Sequence, residues 1–316
     1  MRILLTNDDG IDSVGLHVLA RAMRPFGEVV IAAPDREFSG AGAALGALHL
    51  IQPEVHRAHV DGIDEAWAVT GPPALCVMFS RLGAFGAPFD LVVSGINPGA
   101  NVGRSVYHSG TVGAALTARN GLISGIAVSQ AVTGFGVEGQ GWDEMLVGQK
   151  WETAASVAAA FVEGLVANMP TTPIVANINV PNTELSEIKG WKSARLGHEP
   201  PRRMSTANLE PKEGHEGSFY VRMAWGDAAE LPTDTDGGMV ADGYVAVSYL
   251  SSIVNTERND VEAAESAMTR LISSTLAPAW TDRLTQPSTG GEPAVATTRG
   301  LSHSRIGSKR RKSAGT

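Results

Sequence analysis

Short apolar runs alternate with helix-like segments through the first two-thirds of the chain, and this alternation limits the folds open to it. The strand-like runs cover residues 3–7, 28–34, 90–97, 126–130 and 174–180. The helix-like segments between them cover residues 13–23, 72–82, 109–121 and 151–169. Runs this apolar, joined by helices, are typical of a parallel sheet that is covered on both faces. The pattern therefore predicts an α/β fold.

After the last of these strands the pattern changes. Residues 189–226 contain short alternating stretches around a polar segment, which predicts a long β-hairpin or arm. A further strand is predicted at 244–251 and an amphipathic helix at 259–276. Residues 281–316 are rich in Ser, Thr, Gly and Pro and carry a basic cluster near their end, which is typical of a disordered tail. We therefore predict one domain over residues 1–280, followed by this tail.

The charge and composition of the chain exclude several classes of partner. Its 316 residues carry 25 Lys and Arg against 33 Asp and Glu, a net charge of −8, so no overall basic surface points to nucleic acid. No apolar run approaches the ~20 residues that span a bilayer, so no membrane partner is expected. The single cysteine, Cys76, allows no internal disulfide, and its apolar neighbours predict a buried core residue. Together with an N-terminus that begins a strand rather than an export signal, this predicts a cytoplasmic protein.

Oxygen-bearing side chains follow three of the predicted strands. Asp8 and Asp9 follow the first strand, Ser39 follows the second, and Asn97 ends the third. The carboxyl ends of parallel strands meet at one edge of a sheet, where ligands bind, and Gly10 allows the bend that lets adjacent carboxylates share a target. Two carboxylates and two neutral oxygens suit Mg²⁺ or Mn²⁺, or Ca²⁺ in a crystal, better than Zn²⁺. Such a cation would also offset the repulsion between the two acids.

A second group of residues predicts a phosphate site beside this cation. Ser109, Gly110 and Thr111 begin a predicted helix, and the glycine-rich loop that contains Asn101 precedes it. Backbone N–H groups and the helix dipole at such a terminus attract anions. The simpler alternatives are that the acid pair forms an exposed turn and that Ser109 is only a helix cap. His108 adjoins the turn and is a weaker candidate.

Four separated motifs carry a family resemblance. They are NDDG at 7–10, APDREFSGAG at 33–42, SGINPGANVG at 94–103 and SGTVGAAL at 109–116. In this order they resemble the signature segments of the SurE (survival protein E) nucleotidases, which are metal-dependent phosphatases acting on nucleoside 5′- and 3′-monophosphates. Further matches extend the likeness over about residues 1–255.

The resemblance implies a fold, an assembly and a set of roles. It implies a Rossmann-like three-layer sandwich with a mainly parallel sheet. It also implies a protruding β-hairpin arm and a C-terminal helix that take part in oligomerisation, as a homodimer or homotetramer. Asp8, Asp9, Ser39 and Asn97 match the metal ligands of the family. Ser109, Gly110 and Thr111 match its phosphate-contacting turn.

The chain departs from the family pattern at positions near this turn. Arg104 and Ser105 stand where an acidic residue is common, and Thr117 and Ala118 replace a common Glu-Gly pair. Leu75 also replaces an acidic position. These departures leave the four metal-ligand positions intact but affect the regions expected to set substrate preference and subunit contacts.

These observations predict hydrolysis of nucleoside monophosphates by one divalent cation, with Asp8, Asp9 and Asn97 as the catalytic residues. Either carboxylate could accept a proton from the attacking water, and direct attack by a carboxylate on phosphorus stays open. One alternative is a non-catalytic nucleotide or metal binder on the same scaffold, and another is short-chain exopolyphosphatase activity as the main function. A phospho-accepting receiver module is disfavoured, because it needs a third carboxylate where this chain has Ser94 and Asn97.

Overall fold

The computed structural model describes residues 1–48, 50, 52–132, 146–199, 202–251 and 253–273. The strands are β1 (Arg2–Thr6), β2 (Glu28–Pro34), β3 (Val55–Val60), β4 (Ile63–Val69), β5 (Leu91–Pro98), β6 (Ser124–Gln130), β7 (Val175–Val180), β8 (Trp191–Ser193), β9 (Arg202–Pro211), β10 (Phe219–Ala228) and β11 (Val245–Tyr249). The helices are α1 (Val14–Met23), α2 (Pro73–Arg81), α3 (Gly110–Asn120), α4 (Trp151–Ala167), α5 (Asp236–Ala241) and α6 (Glu262–Ser273).

Nine of these strands form one sheet in the order β3-β4-β2-β1-β5-β6-β7-β11-β8. The six strands from β4 to β7 in this order are mutually parallel. The edge strand β3 runs antiparallel to β4, and β11 runs antiparallel to β7. The predicted, mainly parallel α/β sheet is therefore confirmed.

Helices cover both faces of the parallel strands. On one face, α1 and α4 pack with Ile3, Leu5 and the other large side chains of the main core. On the opposite face, α2 and α3 pack around Leu4, Val92 and the buried Cys76. Successive side chains of a strand point to opposite faces of the sheet, so both faces are apolar and each is covered by helices. The result is the three-layer arrangement that the family resemblance implies.

The predicted strands of the parallel sheet, and the helices between them, lie within two residues of their expected bounds. Strands β3, β4 and β8 and helix α5 were not predicted as separate elements. Strand β3 is mostly exposed at the sheet edge, so its residues lack a buried apolar face to indicate a strand. It carries His56 and His59, which pair with Glu54 and Asp61 at the surface. Helix α5 begins at Asp236, has two glycines in its first turn, and depends on the Thr235 cap rather than on propensity.

The structure describes parts of the two regions that are predicted to serve oligomerisation, the hairpin arm and the C-terminal helix. Strands β9 and β10 pair antiparallel as a hairpin within a compact unit, Met1–Ile253, whereas the first part of the predicted arm, 189–226, contains β8 and joins the main sheet beside β11. Helix α6 belongs to a separate unit that begins at Val254. Its predicted end at residues 274–276 and the predicted tail, 281–316, lie outside the described residues. The roles of the hairpin and helix in assembly, and the domain boundary at residue 280, stay predictions.

Among the described residues, no helix has both the length and the apolar character needed to cross a membrane.

Candidate active site

Asp8 lies at the meeting point of β1 and the N-terminus of α3. Its side chain is buried, with 3% of its surface exposed. One carboxylate oxygen accepts a hydrogen bond from the backbone N–H of Gly110 at 3.1 Å, and the other accepts one from the Thr111 hydroxyl. A Cβ atom on Gly110 would lie 2.7 Å from Asp8 Cβ, so only glycine permits this approach. The helix N-terminus, which favours negative charge, therefore holds the first carboxylate of the pair.

An irregularity in β5 brings Asn97 to the same face of the sheet as Asp8. Leu91 and Val93 point to the α1 and α4 layer, so simple alternation would send residue 97 there as well. The pairing with β6 shifts by one residue between Ser94 and Asn97, and Ile96 fills the main core instead. This extra residue, a β-bulge, turns Asn97 towards the α3 face.

Asp9 provides a carboxylate oxygen with unmet hydrogen-bonding capacity. Its Oδ2 atom is buried and has no hydrogen-bond partner among the described residues. Burial raises the pKa of Asp9 to about 8, and the neighbouring charges of Asp8 and Glu37 add to the increase. Burial also raises the pKa of Asp8, although the hydrogen bond from Thr111 opposes that effect. A buried carboxylate and a half-buried neighbour in this position need a cation or a proton.

The loop after β2, which carries Ser39, is hydrogen-bonded to the chain at Asp8. The backbone N–H of Phe38 donates to the backbone oxygen of Asp8 at 2.7 Å, which fixes the loop against the end of β1. Ser39 is exposed, and its hydroxyl donates to Glu37 at 2.7 Å. Gly10, at a φ of 102°, allows the chain to bend directly after the two acids.

Asn97 is oriented by its own loop. Its side-chain nitrogen donates to the backbone oxygen of Gly99 at 2.6 Å. The amide oxygen is therefore the atom that remains to bind a metal.

The donor set of Asp8, Asp9, Ser39 and Asn97 fits a hard divalent cation. All four contribute oxygen atoms, and the unpartnered oxygen of Asp9 and its raised pKa both indicate missing positive charge. Within the described residues, no group of three or more His, Cys, Asp or Glu side chains is arranged to hold a metal. A cation here would therefore depend on neutral Ser and Asn oxygens beside the two acids.

The predicted phosphate-binding residues divide into two groups. Ser109 accepts a hydrogen bond from the Val112 N–H at 3.1 Å, so it does serve as a helix cap. Gly110 and Thr111 contact Asp8, as described above. Asn101 lies away from these contacts in a buried cluster, where its side-chain nitrogen donates to the Ser129 hydroxyl at 2.9 Å. The structure thus brings the helix terminus to the acid pair but directs the Asn101 amide nitrogen elsewhere.

Sequence reasoning missed several residues of the site region. Glu37 lies within the segment 33–42, but only the fold shows that its charge acts on Asp9. Asn177 and Asn179 stand in the apolar run of β7, and their two-residue spacing was a signal that they share one face. His108 has an exposed side chain, and its backbone oxygen accepts the Gly42 N–H at 3.0 Å.

Comparison with known proteins bears on this arrangement. The profile of a family described as survival protein SurE matches residues 3–203, which include all the candidate site residues. The chain belongs to the SurE family. It is 38% identical to the 5′-nucleotidase SurE of Mannheimia succiniciproducens, over 84% of this chain and 98% of that protein. It is 35% identical to the 5′-nucleotidase SurE of Haemophilus influenzae PittGG, over 80% of this chain and 92% of that protein.

A solved structure of the SurE family shares the fold. The crystal structure of SurE protein from Aquifex aeolicus superimposes with a TM-score of 0.64 at 29% identity, over 85% of this chain and all of that chain. The family predicted from the four motifs is therefore confirmed.

Proposed function

We propose that this chain is a 5′-nucleotidase that removes phosphate from nucleoside monophosphates with the help of one divalent cation. The observation that carries the proposal is the acid pair at the end of β1, where Asp8 is hydrogen-bonded to the N-terminus of α3 and one oxygen of Asp9 has no partner among the described residues. The curated relatives named 5′-nucleotidase SurE support the reaction class.

The cation would be held by Asp8, Asp9, Ser39 and Asn97. When bound, it would polarise the phosphoryl oxygen and lower the pKa of a bound water. Mg²⁺ and Mn²⁺ are the ions that the donor set favours.

The side chains of this chain would supply the remaining tasks. The α3 N-terminus places a positive partial charge beside the acid pair, which favours a phosphate there. Thr111 orients the Asp8 carboxylate through its hydroxyl hydrogen bond. Either Asp9 or Asp8, ionised beside the cation, could accept a proton from the attacking water.

Several finer features belong to the same proposal. Action on 3′-monophosphates and self-association as a dimer or tetramer follow from the family resemblance. The single cysteine agrees with a cytoplasmic location. The nucleotide is the expected partner, and neither a membrane nor nucleic acid is required by the site.

Phosphate release from a panel of nucleoside 5′- and 3′-monophosphates tests the function. We expect release with Mn²⁺ or Mg²⁺, its loss with chelator, and a decrease of at least about 100-fold in Asp9→Asn. Asp12→Asn is the matched control, because Asp12 is an exposed acid three residues away. Equal activity in Asp9→Asn and wild type would contradict the mechanism. Binding of nucleotide without turnover would favour the non-catalytic alternative, and release mainly from short polyphosphate would favour the exopolyphosphatase.

A further inference from the structure

A buried polar cluster lies beneath the loop that connects Asn97 to α3. It consists of Asn101 from the loop, Ser129 from β6, and Asn177 and Asn179 from β7. The two β7 asparagines and Ser129 are fully buried, and Asn101 is 9% exposed. None of the three strand residues belongs to the candidate metal site.

Asn179 binds both backbone groups of Asn101. Its side-chain oxygen accepts the Asn101 N–H at 2.8 Å, and its side-chain nitrogen donates to the Asn101 carbonyl at 3.1 Å. The Asn177 side chain donates to the same carbonyl at 2.9 Å. One side chain thus satisfies the N–H and C=O of a loop residue, as an adjacent β-strand would do.

The position of this contact explains its importance. The loop begins at Asn97, a candidate metal ligand, and leads to Ser109 at the start of α3. On either side of Asn101 the loop is held by Gly99 N–H to Gln130 O at 2.7 Å and by Gly103 N–H to Asp236 at 2.8 Å. Between these two points Asn179 ties the loop to β7, a strand inside the nine-stranded sheet.

Simple core packing does not account for these amides. The side-chain oxygen of Asn177 is buried with no hydrogen-bond partner among the described residues. A buried unpartnered polar atom destabilises the folded chain, and apolar side chains at these positions would avoid that cost. The amides therefore match the requirement of the loop backbone rather than that of the core.

We propose that Asn179 is a positioning residue, which holds the backbone at Asn101 and so places Asn97 for metal binding and the loop for the phosphate. The inference rests on the proposed function, and metal binding gives it a measurement that is independent of turnover.

The test compares Asn179→Asp with wild type. Aspartate has the same shape and keeps the acceptor for the Asn101 N–H, but it turns an oxygen instead of a donor towards the Asn101 carbonyl. We expect the Kd for Mn²⁺, measured by calorimetry on the full chain, to rise about 10-fold, and kcat/KM for a nucleoside 5′-monophosphate to fall about 10- to 100-fold. Asn182→Asp is the matched control, because Asn182 keeps its acceptor contact to the Lys150 N–H, 2.9 Å, outside the loop.

Three outcomes decide the inference. Unchanged Mn²⁺ affinity, kcat and KM in a folded but less stable Asn179→Asp variant would show a purely structural role and overturn it. If that variant does not fold, Asn177→Ser removes one donor to the Asn101 carbonyl, and a smaller change in the same direction is expected, whereas no change again overturns the proposal. If the wild-type chain binds Mn²⁺ but releases no phosphate, the proposed function fails while the Mn²⁺ affinities of the variants still judge the role of Asn179.

Discussion

At the scale of single residues, the site depends on burying a negative charge without an internal partner. The unpartnered oxygen of Asp9 and its raised pKa are two consequences of this burial. Asp8 differs, because the α3 terminus and Thr111 supply hydrogen bonds to it. The two adjacent acids therefore have different environments although they are neighbours in the chain.

The raised pKa of Asp9 predicts a pH-dependent stability of the metal-free protein. The pKa rises from an ordinary value of 3.8 to about 8 in the folded chain. Between these values the folded protein retains a proton that the unfolded chain has released, so stability is lost as the pH rises through this window. Urea unfolding in chelator at about pH 5 and about pH 8 should show a larger loss of free energy of unfolding in wild type than in Asp9→Asn. Equal losses in the two proteins would contradict the expectation.

Gly110→Ala should damage the site without changing any functional group. The new Cβ atom would lie 2.7 Å from Asp8 Cβ and 2.8 Å from its Oδ2, so the carboxylate must move. A displacement of about 1 Å in a catalytic group is worth about 100-fold in rate, and we expect a decrease of that order in kcat/KM. Phosphate release at saturating Mn²⁺ measures it, and near-normal activity would show that Asp8 does not need its present position.

At the scale of secondary-structure elements, close backbone contacts hold the loop after β2 against α3. A Cβ atom on Gly113 would lie 2.2 Å from the backbone oxygen of Gly42. The Gly42 N–H also donates to His108 O at 3.0 Å. Helix α3 therefore positions the segment that carries Ser39 as well as the acid pair.

Gly113→Ala should accordingly lower both stability and activity. Overpacking against backbone that cannot yield costs about 1–3 kcal/mol, and the loop with Ser39 would be displaced. Gly164→Ala is the control, since a Cβ at this position in α4 meets nothing within 4 Å. That variant should gain about 0.5–1 kcal/mol from helix propensity. Thermal and urea unfolding would measure both, and a neutral Gly113→Ala would argue against the close contact.

At the scale of the whole molecule, the β9–β10 hairpin presents one apolar face to solvent. Paired residues in an antiparallel ladder share a face. The pairs on this face are Phe219 with Pro211, Val221 with Leu209, and Met223 with Ala207. All six side chains are exposed in the single chain. Such a patch is unusual for a monomer and agrees with the self-association that the family resemblance implies.

Val221→Lys should therefore weaken self-association. We expect the wild-type chain to have the mass of a dimer or tetramer in size-exclusion chromatography with light scattering. A charge in the apolar face should shift the mass towards the monomer, because it would be buried without a partner. Asn208→Lys on the opposite face is the control. A monomeric wild type, or identical masses for all three proteins, would rule out this face as the interface.

Much of the fold was predictable because its signals are local. The apolar runs of β1, β2, β5, β6 and β7 and the helical segments between them are visible within short windows. Strand β3 and helix α5 were not predictable in this way. The first is exposed at an edge, and the second is stabilised by its cap and by contacts distant in the chain.

Some features of the candidate site were likewise predictable from local sequence, and others were not. The acid pair, the helix start at Ser109 and the hard-oxygen chemistry could all be read from residue types and order, since strand ends in a parallel sheet meet at one edge. The bulge that turns Asn97, the charge of Glu37 on Asp9 and the contact of Asn179 with the loop required the folded chain. These features arise from residues up to 78 positions apart, and their pairing depends on strand register and burial, which no short stretch of sequence encodes.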